Sequence, residues 1–146
     1  MFITRRRSCP ADAEFARAVH HRAYREVIER HYGPWNEKQQ DDLFAAAWSE
    51  AEHEIIMCDD SPCGYLCLED RGDDLYLREL VVDSGFQRKG IGTKLLQDII
   101  DEAGRRNLRV ALRTQTTNRA VNLYRRIGFQ EIGHTDSHIM MEWRPF

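Results

Sequence analysis

The stretch FQRKGIGTKLL, residues 86–96, sets two glycines and a pair of cations immediately before an apolar run that starts a helix. The first N–H groups of a helix have no partner within it and point at whatever sits in front of them, so such a turn is a site for an anion. Gly90 and Gly92 lack a Cβ, which lets an anion come close to the main chain, and Arg88 and Lys89 add positive charge. Two phosphate loops fail to match. A Walker loop needs G-x-x-x-x-G-K-[ST], and a dinucleotide fingerprint needs a third glycine where Leu95 stands.

A turn of this kind needs a strand leading in and a helix leading out. LYLRELVVD, residues 75–83, is apolar on both faces, as a strand inside a covered sheet is. Ile91, Leu95, Leu96, Ile99 and Ile100 recur with helical spacing and predict an amphipathic helix over 90–104, with Gly104 as the first residue past its end. Upstream, FITRRRSCPADAEF predicts a short strand, a proline turn and the start of a helix. Phe15, Val19, Ala23, Val27 and Ile28 line that helix until Gly33-Pro34 stops it. Asn36 then caps a second helix carrying Leu43, Phe44, Ala47 and Trp48 on one side. HEIIMCDD and YLCLED flank the turn DSPCG as a hairpin, and RGDD makes the next turn. LRVALRTQ is a strand, TNRAVNLYRRIGF a short helix ended by Gly128, and SHIMMEW a closing strand. The order strand, two helices, three strands, helix, strand, helix, strand contains no repeat or linker. It predicts one domain over residues 1–146, built on a mixed α/β sheet.

Gln87, Gly90 and Gly92, read as Q-x-x-G-x-G directly after a strand ending in LVV, resemble the pyrophosphate motif of the Gcn5-related N-acetyltransferase (GNAT) family. ALRTQTTNRAVNLYRRIGFQEIG resembles the same family's second signature: a strand, a short helix bearing Leu-Tyr, then Gly-Phe and a further strand. The resemblance is close over residues 75–132. It implies a largely antiparallel central sheet flanked by helices, with two central strands splayed into a V-shaped gap for the pantetheine arm of acetyl-coenzyme A. It implies that the main chain of Leu80, Val81 and Val82 pairs with that arm. The N–H of Val81 or Val82 would then face the thioester carbonyl. Gln87, Arg88, Lys89, Gly90, Ile91, Gly92 and Thr93 would hold the pyrophosphate. Tyr124, at the Leu-Tyr position, would touch the cofactor and protonate the departing thiolate. The family's asparagine position, seven residues before the tyrosine, is Thr117 here; Asn118, one later, is the nearest cofactor contact, and Thr117 suits a helix cap.

The implied reaction is direct attack of a primary amine, of a small molecule or a peptide, on acetyl-coenzyme A. Something must take the amine's proton. Glu79, on the buried strand, is the first candidate, and strand alternation turns its neighbour Arg78 to the opposite face, so only one of them faces the acceptor unless a bulge intervenes. HHRAYREVIERHYGPWNEKQQ offers His20, Tyr24, Glu29, Tyr32 and Trp35 as walls for a cationic acceptor. His134 and His138 read as surface residues. The alternatives are a coenzyme A binding protein without turnover, or the same scaffold with another acyl group or acceptor. A third reading is an RNA-associated module that uses the arginine clusters.

Composition narrows the rest. At 146 residues and 42% hydrophobic, the chain suits one core. A net charge of −3 gives no field for nucleic acid, despite Arg5-Arg6-Arg7 and Arg125-Arg126. No apolar run approaches the roughly 20 residues of a membrane span, and MFITRRRSCP lacks the apolar core of a signal peptide, so a cytoplasmic protein is expected. Cys9, Cys58, Cys63 and Cys67 are expected as reduced thiols, with Cys63 and Cys67 buried on one strand face and no histidine pair to complete a metal site. SHIMMEW is a candidate for pairing two copies, and an interior strand would read the same.

Overall fold

The computed structural model describes residues 1–145. Its elements are β1 (Ile3–Arg7), α1 (Ala13–Tyr32), α2 (Glu37–Glu50), β2 (Glu54–Cys58), β3 (Ser61–Asp70), β4 (Asp74–Val82), α3 (Ile91–Arg105), β5 (Arg109–Gln115), α4 (Ala120–Ile127), β6 (Gln130–His134) and β7 (His138–Trp143). The seven strands form one mixed sheet in the order β1-β2-β3-β4-β5-β7-β6. It is mostly antiparallel; β4 and β5 run parallel, in register from Asp74 opposite Arg109 to Leu77 opposite Leu112. Among the described residues, no helix is long and apolar enough to cross a membrane.

The chain divides into two compact units. The first comprises residues 1–67 and 79–91. Its core gathers Ala16 and Val19 of α1, Phe44 of α2, Ile55, Tyr65 and Val81, with Phe15, Tyr24 and Trp48 packed against them. The helix signals act as read: Asn36 Oδ1 accepts from the Gln39 N–H at 2.9 Å, and α1 ends at Gly33. Leu43, expected inward beside Phe44, is instead 57% exposed, because α2 offers the sheet only the narrow face that carries Gln40 and Phe44.

Within this unit β3 and β4 approach most closely at Gly64. A Cβ there would stand 2.2 Å from the Val81 carbonyl oxygen and 3.0 Å from Val82 Cα, so only glycine lets the backbones meet. The Asp83 N–H also donates to the Cys63 carbonyl at 2.8 Å. The main chain of Val81 and Asp83 therefore faces β3, and by alternation that of Val82 faces away. Gly64→Ala should destabilise the protein by about 1–3 kcal/mol, the usual cost of overpacking, read as a lower urea midpoint. An unchanged midpoint would mean that the strands have room to separate.

The second unit comprises residues 68–78 and 92–146. Leu95, Leu96, Ile99 and Ile100 of α3 are buried, as are Val110 and Leu112 of β5, Val121 and Tyr124 of α4, Phe129, and Met141 of β7. Gly104 does not terminate α3 as expected. It lies inside the helix, its α-carbon facing Trp143, and the left-handed residue at the end is Asn107, at φ 55°, followed by a Leu108 N–H that donates to the Ala103 carbonyl at 2.8 Å. The six-strand order omitted β6, whose residues are mostly exposed and give little periodic signal, although the second signature calls for a strand at that place. β7 pairs with both β5 and β6, so SHIMMEW is an interior strand rather than an edge. Among the described residues no cysteine is joined in a disulfide, and Cys63 and Cys67 are buried as expected.

Candidate functional site

The turn after β4 is held from both sides of the chain. Arg22 of α1 grips Asp83 with two bonds of 2.9 Å, Nε to Oδ1 and Nη2 to Oδ2. The guanidinium holds the Asp83 carboxyl below its ordinary range. Oδ1 also accepts from the Ser84 N–H at 2.9 Å, and the Phe86 N–H donates to the Asp83 carbonyl at 2.8 Å. Gln87, expected at the anion, turns its side chain back instead: Nε2 donates to the Val82 carbonyl at 2.9 Å. Two left-handed residues then bend the backbone, Arg88 at φ 63° and Gly90 at φ 80°, and α3 begins at Ile91.

The result is an open cradle. Nothing lies within 4 Å of the place a Gly90 Cβ would occupy, so the main chain there is accessible from in front. Arg88, Lys89, Gly90 and Thr93 are exposed, whereas Ile91 is buried and can offer only its main chain. Lys89 Nζ rests 5.7 Å from the Phe86 ring centre. Turn geometry, open N–H groups and two cations together suit a phosphate-bearing ligand.

Tyr124 is 5% exposed on α4, its ring 5.7 Å from that of Phe129. Burial pushes its phenol up to about 12, so it holds its proton throughout the neutral range. The hydroxyl has no hydrogen-bond partner among the described residues, yet it is not a sealed, unsatisfied atom, so the small remaining exposure includes the oxygen. Asn118 Nδ2 donates to Thr114 Oγ1 at 2.8 Å and its Oδ1 accepts from the Ala120 N–H at 2.9 Å; the cap position of α4 is Arg119, and the first helical N–H is satisfied by Asn118 just ahead of it, not by Thr117.

Glu79 sits at a cavity of about 260 Å³ in the first unit, walled by His20, Gln40, Phe44, Trp48 and His53. Its Oε2 accepts from the Tyr24 hydroxyl at 3.1 Å and the Tyr65 hydroxyl at 3.2 Å. Burial, and next the Glu79 charge, raise the Tyr65 phenol far above its ordinary value, which fixes it as a donor. Two donated bonds fix the orientation of the Glu79 carboxyl group. Trp48 stacks on His53 at 4.1 Å and on Phe44 at 5.5 Å, completing an aromatic lining around it. A carboxylate among aromatic faces suits a cation of modest size. Arg78 is exposed and pairs with Glu69 at 3.1 Å, on the opposite strand face as alternation requires.

Of the expected acceptor walls, Tyr24 meets Glu79, and Trp35 packs edge-on against His21 at 4.9 Å. Glu29 pairs with Arg25 at 3.1 Å, and Tyr32 is 69% exposed; neither lines the cavity. The sequence reading missed Gln40, Phe44, Trp48 and His53 as cavity residues. Gln40 and His53, at 9% and 6% exposure, are polar residues where burial is uncommon, and that was the available signal. His21, Glu37 and Asp41 also cluster, with ligand-type atoms within 4.8 Å of one another. Arg17 supplies the positive charge there, with Nη1 3.1 Å from Asp41 and 3.5 Å from Glu37. The amino-terminal arginines are likewise paired, Arg5 with Glu54 at 3.2 Å and Arg6 with Asp12 at 2.8 Å.

Burial, and then the neighbouring His21, push His20 down to about 4. The folded value lies below the ordinary value of about 6.5, so the unfolded chain binds this proton first as pH falls. Stability should be intact above pH 6.5 and decline between there and pH 4, by about 1–2 kcal/mol at pH 5 after allowing for partial exposure. Urea titrations at pH 7.5 and 5 should show a smaller pH difference for His20→Gln than for the parent. Equal differences would place the His20 titration outside folding. The groups facing His20 are His21 and Tyr24 of α1, Phe44 of α2, and, across the cavity, Glu79 and His53.

Residues 20–129 match the acetyltransferase (GNAT) family. The chain is 29% identical to the [ribosomal protein bS18]-alanine N-acetyltransferase of Salmonella typhimurium, over 75% of this chain and 81% of the relative. The crystal structure of the ribosomal-protein-S18-alanine N-acetyltransferase from Escherichia coli aligns with a TM-score of 0.65 at 25% identity, covering 98% of this chain and 94% of that one. The PaiA N-acetyltransferase of Thermoplasma acidophilum, crystallised in complex with coenzyme A, aligns with a TM-score of 0.76 at 16% identity, covering 99% of each chain.

Proposed function

The chain belongs to the acetyltransferase (GNAT) family, and from that premise we propose that residues 1–146 act as one domain that transfers an acetyl group from acetyl-coenzyme A to a primary amine by direct attack. The observation that carries this reading is the open main chain at Gly90, φ 80°, set before α3 with Arg88 and Lys89 beside it. There the pyrophosphate meets the N–H groups of Gly90, Ile91, Gly92 and Thr93.

The pantetheine arm lies along β4, against the side that Leu80 and Val82 present away from β3. The sequence left Val81 and Val82 as equal candidates for the oxyanion contact. The orientation of Val81 toward Gly64 favours the Val82 N–H, whose own carbonyl is held by Gln87. Tyr124 protonates the departing thiolate. Glu79, fixed by Tyr24 and Tyr65, draws in the acceptor ammonium and takes the proton that frees its lone pair.

The acceptor is a compact cation, a reading supported by the small cavity and by the Glu79 carboxyl group on its wall. An N-terminal amine on a small residue fits that description, and alanine is the residue modified by the Salmonella relative. Thermal unfolding with and without acetyl-coenzyme A, followed by thiol release against an alanine-initiated peptide, free lysine and 1,4-diaminobutane, tests the proposal. A raised melting temperature with amine-dependent release is expected. A rise without release would reduce the reading to cofactor binding without turnover, and no rise would remove the cofactor altogether.

A further inference from the structure

Acetylation of an ammonium takes two protons off nitrogen. The first must leave before attack, and the second leaves as the nitrogen bonds to the carbonyl carbon; one proton ends on sulfur and one in water. Glu79 accounts for the first, and nothing above accounts for the second. Across the same cavity wall stands His20, whose Nδ1 lies 3.0 Å from Nδ1 of His21, while His21 Nε2 lies 2.7 Å from Asp41 Oδ1.

Asp41 is an anion, held below the ordinary carboxylate range chiefly by the His21 hydrogen bond, so it can only accept, and His21 carries a proton on Nε2. Where that is the only proton on His21, its Nδ1 is a lone pair and the 3.0 Å contact takes its proton from His20 Nδ1; a His21 protonated on both nitrogens would instead leave the His20 proton on Nε2. In the first arrangement His20 Nε2 is left as a lone pair. It has no hydrogen-bond partner among the described residues and is not sealed from its surroundings. An acid, a neutral imidazole and a second imidazole in line repeat the logic by which a carboxylate orients a histidine base, with one ring inserted.

We propose that His20 is a second base of the acyl transfer, taking through Nε2 the proton that leaves nitrogen as the N–C bond forms, and that His21 and Asp41 are positioning residues that fix its tautomer. The proposal rests on the acetyl-transfer reading above. As the N–C bond forms and the C–S bond breaks, the N–H proton passes to His20 Nε2 and Tyr124 gives its proton to sulfur; once product leaves, the proton held by Glu79 restores the Tyr124 phenol by way of water, and the imidazolium releases its own to water. Because burial keeps His20 uncharged at neutral pH, the lone pair is present in every molecule. The groups that face it are His21 and Tyr24 on α1, Gln40 and Phe44 on α2, Glu79 on β4 and His53 ahead of β2, with Arg17 and Asp41 reaching it through His21.

Two measurements test it. Long-range proton–nitrogen NMR on the parent protein reads the tautomers without needing turnover. His20 is expected as the Nδ1–H form and His21 as the Nε2–H form, and a His20 proton on Nε2 would overturn the proposal. Thiol release is then measured with the alanine-initiated peptide, lysine and diaminobutane. His20→Gln should lower kcat by about 10²-fold, in the range of a general base, with the KM for acetyl-coenzyme A unchanged. Asp41→Asn, at a side chain 39% exposed and so safe for folding, should lower kcat several-fold and move the acid limb of the pH profile to lower pH, and Asp41→Glu should restore both. An active parent whose Asp41→Asn profile coincides with its own would overturn the base while leaving the acetyltransferase standing. A parent that binds acetyl-coenzyme A but acetylates none of the three amines would overturn both.

Discussion

Tyr124→Phe should fold as the parent does, bind acetyl-coenzyme A as the parent does, and turn over about 10²-fold more slowly or worse, within the span attributed to general acids. The fold should survive because the hydroxyl has no partner among the described residues, while the ring contact with Phe129 at 5.7 Å is kept by phenylalanine. Binding should survive because a neutral phenol adds little to a cofactor held mainly by its phosphates. The rate should fall because the sulfur leaves with a negative charge. A phenol at about 12 is a weak acid toward a thiol of about 8.5, a gap that would defeat full transfer in water. The burial that raised the phenol raises the thiol as well, since both lose the water that stabilised their anions. The gap therefore narrows where the reaction happens, and the donated bond tightens as charge grows on sulfur. Steady-state kinetics by thiol release, with kcat separated from the cofactor KM, checks this. A parental kcat would show that water or another donor protonates the sulfur, and a raised KM at constant kcat would make Tyr124 a binding residue.

The local features of the site were readable because each is encoded within a few consecutive residues. Asn36 caps α2 by a bond to a residue three positions on, and Arg78 and Glu79 take opposite faces because a strand alternates. The glycine turn carries its own backbone demands at Gly90. The acceptor cavity follows a different rule. Its walls come from α1, α2, the turn before β2, and β4, so that although α2 supplies several of them, the residues they meet, His20, His53 and Glu79, are far apart in sequence. A helical face predicts that Phe44 is buried, but cannot say that Trp48 will stack on His53 from another element. Leu43 was misplaced for the same reason, since its exposure depends on how little of α2 meets the sheet. Gly104 shows the opposite limit: glycine is typical of helix ends, yet here it lies within α3, where a Cβ would make ordinary contact with Trp143 at 3.6 Å and the helix end is set by Asn107. The His20–His21–Asp41 chain needed coordinates, because adjacent histidines on a helix normally diverge by about 100°.

Gly90→Asp should abolish measurable coenzyme A binding, lowering affinity by at least about 100-fold, with little loss of stability. The steric case against the variant is weak, since nothing lies within 4 Å of the new Cβ. The backbone cost at φ 80° is about 1 kcal/mol, the ordinary penalty for a left-handed non-glycine residue. A carboxylate before α3 repays part of that by meeting the helix N–H groups. That favourable contact is also why binding fails. The new side chain occupies the cradle built for the pyrophosphate and brings the same sign of charge. Gly90→Asn separates the two causes, having the shape and left-handed tolerance of aspartate without its charge. It should bind with intermediate affinity, between the parent and Gly90→Asp, in calorimetry at matched ionic strength. Equal losses for both variants would put the effect in the backbone. Parental affinity in Gly90→Asp would mean that the pyrophosphate does not rest on this turn. The anion site at residues 87–93 would then have to belong to another ligand.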